Sequence, residues 1–176
     1  RIVTIIAVNA NNEHLESFVK SLNNNLNVRF YNCKSYICVG RNESIYHLSV
    51  NFKRLLPLMN VALKNKSEIL YYDKMGMYKI LSEVSDMSIL KDMYNDTVGR
   101  LIQYDKENNT DLTDYIKNYI SCDGNVQTVA NNFFVHRNTV NNKMNKIKEI
   151  TQINPLTLDG KIVFSTAIKI SELYNL

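Results

Sequence analysis

Between Val135 and Lys148 the charged side chains are Arg137, Lys143, Lys146 and Lys148, with Asn138, Thr139, Asn142 and Asn145 among them and no acid before Glu149. These residue types suit recognition of a polyanion. Arginine reads guanine bidentately, asparagine pairs with both polar atoms of adenine's major-groove edge, and threonine or lysine holds phosphate or a thymine methyl. Covalent and metal chemistry have no comparable support. There is no P-loop, no G-x-G-x-x-G and no serine–histidine–aspartate spacing. Cys33, Cys38 and Cys122 come without paired CxxC motifs or clustered histidines, so the four N/S ligands of a zinc site are missing. They read as reduced thiols. No catalytic residue, metal ligand or cofactor is expected.

A helix must hold the polar set on one side. Val140, Met144, Ile147 and Thr151 form its inward stripe, and Asn138, Thr139, Asn142, Asn145 and Lys146 lie opposite, with Arg137 projecting from the first turn. Ahead of it Val126, Val129, Ala130 and Phe133 follow the i, i+3, i+4, i+7 pattern, with Asn125 as N-cap and small Ala130 where two helices cross closely. Leu112, Tyr115, Ile116, Tyr119 and Ile120 mark a further helix, ended by Cys122-Asp123-Gly124. Two short helices joined through Phe134 and Val135 make a helix-turn-helix, whose second helix fits a DNA major groove. The plainer alternative is a solvated helix in an ordinary three-helix bundle. The acid-free, amide-rich face starting at the first turn favours DNA. His136 reads as a capping or packing residue rather than a base contact.

Upstream, Ile2 to Val8 is an apolar β-rich run, and Leu15, Phe18, Val19 and Leu22 place a helix over 13–25. Val28 to Ser35 and Tyr36 to Val39 read as short strands. A helical pattern spans Ser44 to Asn65, with Pro57 as a kink or a second start, and Ile69 to Tyr72 is another strand. The order β-α-β-β-α-β predicts a ferredoxin-like arrangement. Apolar residues from Tyr78 to Ile102 continue at helical spacing to about Tyr104, and the polar run 105–109 is the expected boundary. The chain has 176 residues and a net charge of +4, which permits nucleic-acid binding without demanding it. No apolar stretch approaches the ~20 residues that span a bilayer, so a cytoplasmic protein without membrane contact is expected. The absence of an initiator methionine suggests a fragment of a longer chain.

The run Phe134-Val135-His136-Arg137-Asn138-Thr139-Val140, with Asn125-Val126 and Ala130 before it and Ile147-x-Glu149-Ile150-Thr151 after, resembles the helix-turn-helix that ends the PucR/CdaR family of bacterial transcriptional regulators. The apolar helix Ile162 to Leu173 matches too. Val39-Gly40-Arg41, the segment Tyr72 to Tyr78, Leu81 and Tyr104-Asp105 are similar to the degenerate GGDEF-like domain preceding that module in the family. The resemblance implies an α+β GGDEF-like, ferredoxin-like domain over 1–84, a connecting helix and loop over 85–108, and an all-α Fis-type helix-turn-helix domain over 109–176. It implies DNA contacts from Arg137, Thr139, Asn142 and Lys143, with Asn138 close by. Asn141 stands where these regulators usually carry arginine, and Asn142 where they usually carry an aromatic, so a weaker phosphate affinity and a different base preference are expected. Cyclase activity is not implied. Cys38-Val39-Gly40-Arg41-Asn42 places a cation where metal-binding carboxylates would be needed.

The function these readings support is a DNA-binding transcriptional regulator. Arg137, Asn138, Thr139 and Asn142 would set specificity, and Lys143 and Lys146 would anchor phosphate. A lone helix-turn-helix buries little surface, so a homodimer on double-stranded DNA is expected, under control of a small-molecule effector or an N-terminal sensor. The alternative is a small-molecule-sensing α/β domain with a helical protein-docking module. For that alternative Arg41 beside Gly40 would bind an anion, although a surface arginine at a tight turn is the plainer account.

Overall fold

The computed structural model describes residues 12–31, 34–41 and 44–176. The chain divides into two compact units between Glu83 and Val84. The described residues are mostly helical.

In the first unit, α1 spans Asn12–Arg29, β1 Ile37–Val39, α2 Leu48–Lys64 and β2 Ile69–Tyr71, and α3 Met77–Ser82 closes it. β1 and β2 pair in parallel, with Ile37 opposite Ile69 and Val39 opposite Tyr71. A parallel pair needs a crossover, and α2 supplies it. α2 runs unbroken through Pro57 and buries Leu58, Val61 and Ala62. Cys38 lies in β1, where burial pushes its thiol up to about 11, so it stays protonated and unreactive.

Two expectations change here. The strand over Val28 to Ser35 does not form: α1 continues to Arg29, and Phe30 donates its N–H to the Leu26 carbonyl. The extra turn brings Asn27 one turn below Asn23, and together they hold Ser35. The Ser35 hydroxyl lies 2.7 Å from Asn23 Oδ1 and 2.8 Å from Asn27 Oδ1, and buried Asn23 also donates to Glu68 at 2.8 Å. The Ser35 N–H also donates to Asn27 Oδ1 at 3.2 Å, so a side-chain amide takes a backbone donor that a β ladder would have used. Among the described residues the sheet has two strands, so the full β-α-β-β-α-β order is not seen there. The expected strand Ile2 to Val8 lies outside the described residues, as does Cys33.

The second unit opens with α4 Met87–Tyr94 and α5 Arg100–Asn108, joined by a π-helical turn over Asn95–Gly99. Periodicity alone suggested one helix from Tyr78 to Tyr104. Asp86 breaks it by accepting from the Ser88 N–H at 2.9 Å and so capping α4. In the π turn, the buried Thr97 hydroxyl donates to the Met93 carbonyl at 2.6 Å, bonding back into the preceding turn. There follow α6 Leu112–Ser121, α7 Val126–Asn132, α8 Arg137–Thr151 and α9 Leu158–Tyr174. Their shared core contains Leu101, Leu112, Ile116, Val129, Met144, Ile147 and Phe164, all fully buried. Each such side chain contributes about 1.5–3 kcal/mol by leaving water.

The polar run 105–109 lies inside this unit. Asn109 adopts the left-handed conformation that ends α5. Asp105 accepts from the Leu112 N–H at 2.9 Å, the Thr113 N–H at 2.8 Å and the Thr110 hydroxyl at 2.6 Å. It caps α6 from the preceding helix, whereas Asp111, at the N-cap position, makes no side-chain cap. No helix among the described residues is long and apolar enough to cross a membrane.

Candidate nucleic-acid interface

Local rules fix the angle between α7 and α8. Asn125 caps α7, its Oδ1 accepting from the Thr128 N–H at 3.0 Å. α7 ends through Phe134, whose φ of 54° is left-handed, and the Val135 N–H returns to the Ala130 carbonyl at 3.0 Å, a closure typical of helix C-termini. His136 then caps α8: its Nδ1 accepts from the Asn138 N–H at 3.2 Å, as the sequence suggested. Val129, Ala130 and Val140 are buried where the two helices meet.

Burial of Val140, Met144, Ile147 and Thr151 turns the opposite face of α8 outward. Arg137, Asn138, Asn142 and Lys146 are exposed, and Thr139 and Lys143 are half-buried. Four of the six expected contact residues, Thr139, Asn142, Lys143 and Lys146, share a shallow cleft of about 250 Å³ with Tyr104, Thr110 and Leu112. Arg137 and Asn138 stand outside it on the first turn.

The cations on this face are not idle. The Lys143 ammonium pairs with Asp111 and sits 5.1 Å above the Tyr115 ring, which itself stacks on Phe133 with centroids 4.0 Å apart. Lys146 pairs with Glu149 at 3.1 Å and lies 5.6 Å from the Tyr104 ring centroid. The Glu149 hydrogen bond raises the Lys146 ammonium above its ordinary value, with Tyr104 adding to the effect. Sequence reading missed Tyr104, Thr110 and Asp111 as neighbours of this face. They precede the motif, and only the fold of α5 onto α8 brings them near. Among the described residues no histidine, cysteine, aspartate and glutamate cluster could hold a metal ion.

A short capped helix, a tight left-handed turn and a second capped helix with an outward polar, cationic face define a helix-turn-helix domain. Residues 112–170 match the PucR C-terminal helix-turn-helix domain. The chain is also similar to two curated proteins of Bacillus subtilis (strain 168). It is 22% identical to the DNA-binding transcriptional activator AdeR over 137 residues, which are 76% of this chain and 32% of that protein. It is 25% identical to the proline-responsive transcriptional activator PutR over 123 residues, 68% of this chain and 30% of that protein. The chain spans about a third of the length of these relatives.

Proposed function

We propose that the chain is part of a transcriptional regulator whose helix α8 enters the major groove of double-stranded DNA. The observation that carries this is the outward first half of α8. Arg137, Asn138 and Asn142 are exposed beyond a cap that leaves the helix N-terminus open to an approaching groove. Arg137, Asn138, Thr139 and Asn142 would face base edges, and Lys143 and Lys146 would exchange their carboxylate partners for phosphates. Both relatives are named as transcriptional activators, which supports regulation rather than catalysis. We read 109–176 as the DNA-binding domain, 85–108 as its connecting helix and 1–84 as a GGDEF-like domain without activity. The support for the last is the β1–α2–β2 crossover with Gly40-Arg41 and Tyr72-Asp73 closing its strands. Such a protein works in the cytoplasm, as a homodimer on a two-fold site, under control of a small-molecule effector or an N-terminal sensor.

Fluorescence anisotropy on DNA from upstream of its own gene tests this, with salt titration and with Arg137→Ala and Thr139→Ala beside the wild type. Sequence-selective, salt-steep binding lost in both variants is the expected result, because each neutralised phosphate adds about 0.9 to the log–log salt slope. A forced dimer that binds neither promoter nor random DNA at low salt would overturn the assignment.

A further inference from the structure

The first unit carries a charged cluster that the DNA-binding proposal leaves unused. β1 and β2 run parallel with Val39 beside Tyr71, so Arg41 and Asp73, each two residues beyond its strand, emerge together at the carboxyl ends. Arg41 Nε lies 3.0 Å from Asp73 Oδ1. Lys79, from α3, approaches the same oxygen at 3.8 Å and donates to the Asp73 carbonyl at 2.7 Å. Both cations lie 5.4 Å from the centroid of the buried Tyr72 ring. The nearby Lys74 is occupied elsewhere, with Glu16 at 2.8 Å.

Three features distinguish this from an ordinary surface ion pair. Two cations face one carboxylate, which leaves an excess positive charge. The Tyr72 ring attracts both cations independently of Asp73. Arg41 uses Nε alone, leaving its two terminal nitrogens uncommitted among the described residues and free for a forked contact with an oxyanion. The Asp73 side chain is 67% exposed, so an incoming ligand can displace its carboxylate. In open α/β sheets, ligands bind outside the carboxyl ends of the strands.

We propose that the carboxyl ends of β1 and β2 bind a small dianion, a dicarboxylate or a phosphate, between Arg41 and Lys79, with Asp73 as the internal carboxylate that the ligand displaces. This is independent of whether α8 binds DNA.

The test is a titration of the whole chain, followed by amide and arginine Nε–H chemical shifts. Glutarate and inorganic phosphate are used separately, at ionic strength held constant with sodium chloride. Saturable shifts at Arg41, Asp73 and Lys79 are expected with one or both probes, and the probe that saturates names the source of the oxyanion. Arg41→Gln and Lys79→Gln should each weaken binding about tenfold, the size of one lost charge-assisted contact. Asp73→Asn removes the competing carboxylate and should tighten binding several-fold, a gain that misfolding cannot produce. Shifts that stay linear and equal those from chloride, or an Asp73→Asn variant that binds no tighter than wild type, would overturn the proposal.

Discussion

Lys143 on α8 is paired with Asp111, the residue immediately before α6, across 32 positions of sequence. The expected phosphate anchor therefore carries a counter-ion from outside the two helices of the motif. On DNA the ammonium must trade Asp111 for a phosphate, and the abandoned carboxylate then sits close to the duplex. Asp111→Asn removes that opposition. It should raise DNA affinity about three- to tenfold and steepen the log–log salt slope by nearly one unit. Anisotropy titrations across salt concentrations check both; equal affinity and slope would exclude Lys143 from phosphate contact.

Gly160 lies in the first turn of α9, where the backbone of the 152–157 connection presses close. A Cβ there would meet the Asn154 carbonyl oxygen at only 1.8 Å. Backbone cannot yield as a flexible side chain does, so Gly160→Ala should cost about 3 kcal/mol or more. Urea denaturation of the variant reads this as a lowered midpoint. A midpoint equal to wild type would contradict the close approach.

Phe134 presents the reverse case. Its φ is 54° and its side chain is 95% exposed, so the turn bears left-handed strain without gaining burial. Phe134→Gly should leave the fold intact and raise stability by up to about 1 kcal/mol, the relief of strain exceeding the added freedom of the unfolded chain. Thermal unfolding followed by circular dichroism measures it.

Burial raises the Asp105 carboxyl, but hydrogen bonds from Thr110, Thr113 and Leu112 outweigh this and hold it below its ordinary value of 3.8. A carboxylate depressed by folding stabilises the protein above that ordinary value, and the contribution fades as pH falls through the folded one. Asp105→Ala should therefore be less stable than wild type at pH 7, by about 1 kcal/mol for the lost cap. The gap should close as the pH is lowered below about 4. Denaturation curves at pH 7, 4 and 3 would show the convergence; a gap unchanged with pH would remove Asp105 from the capping role.

The helix-turn-helix was legible because its signals are local. Asn125 as a cap, the apolar spacing of Val126 to Phe133, and the stripe from Val140 to Thr151 each lie within a few turns of the chain. The strand at Ile37–Val39 and the helix over Leu48–Lys64 were legible on the same grounds. The strand expected over Val28 to Ser35 gives way at its start to α1, because apolar and aromatic composition cannot reveal that Asn23 and Asn27 both reach Ser35. The continuous helix expected from Tyr78 failed because Asp86 acts through a cap that apolar periodicity does not register. On the α8 face, the residue types were readable, but Asp111 and Tyr104 were not, since only tertiary packing makes them neighbours of Lys143 and Lys146.

The Asp105 cap, together with the burial of Val98 and Leu101 in the same core as Phe164, bears on how the domain can be isolated. A fragment cut at the polar run 105–109 would begin with an unsatisfied helix end and an apolar surface stripped of its cover. The compact unit 84–176 is thus the piece to express, and the segment read as a connector, 85–108, contributes Val98 and Leu101 to the core of the helices that follow it.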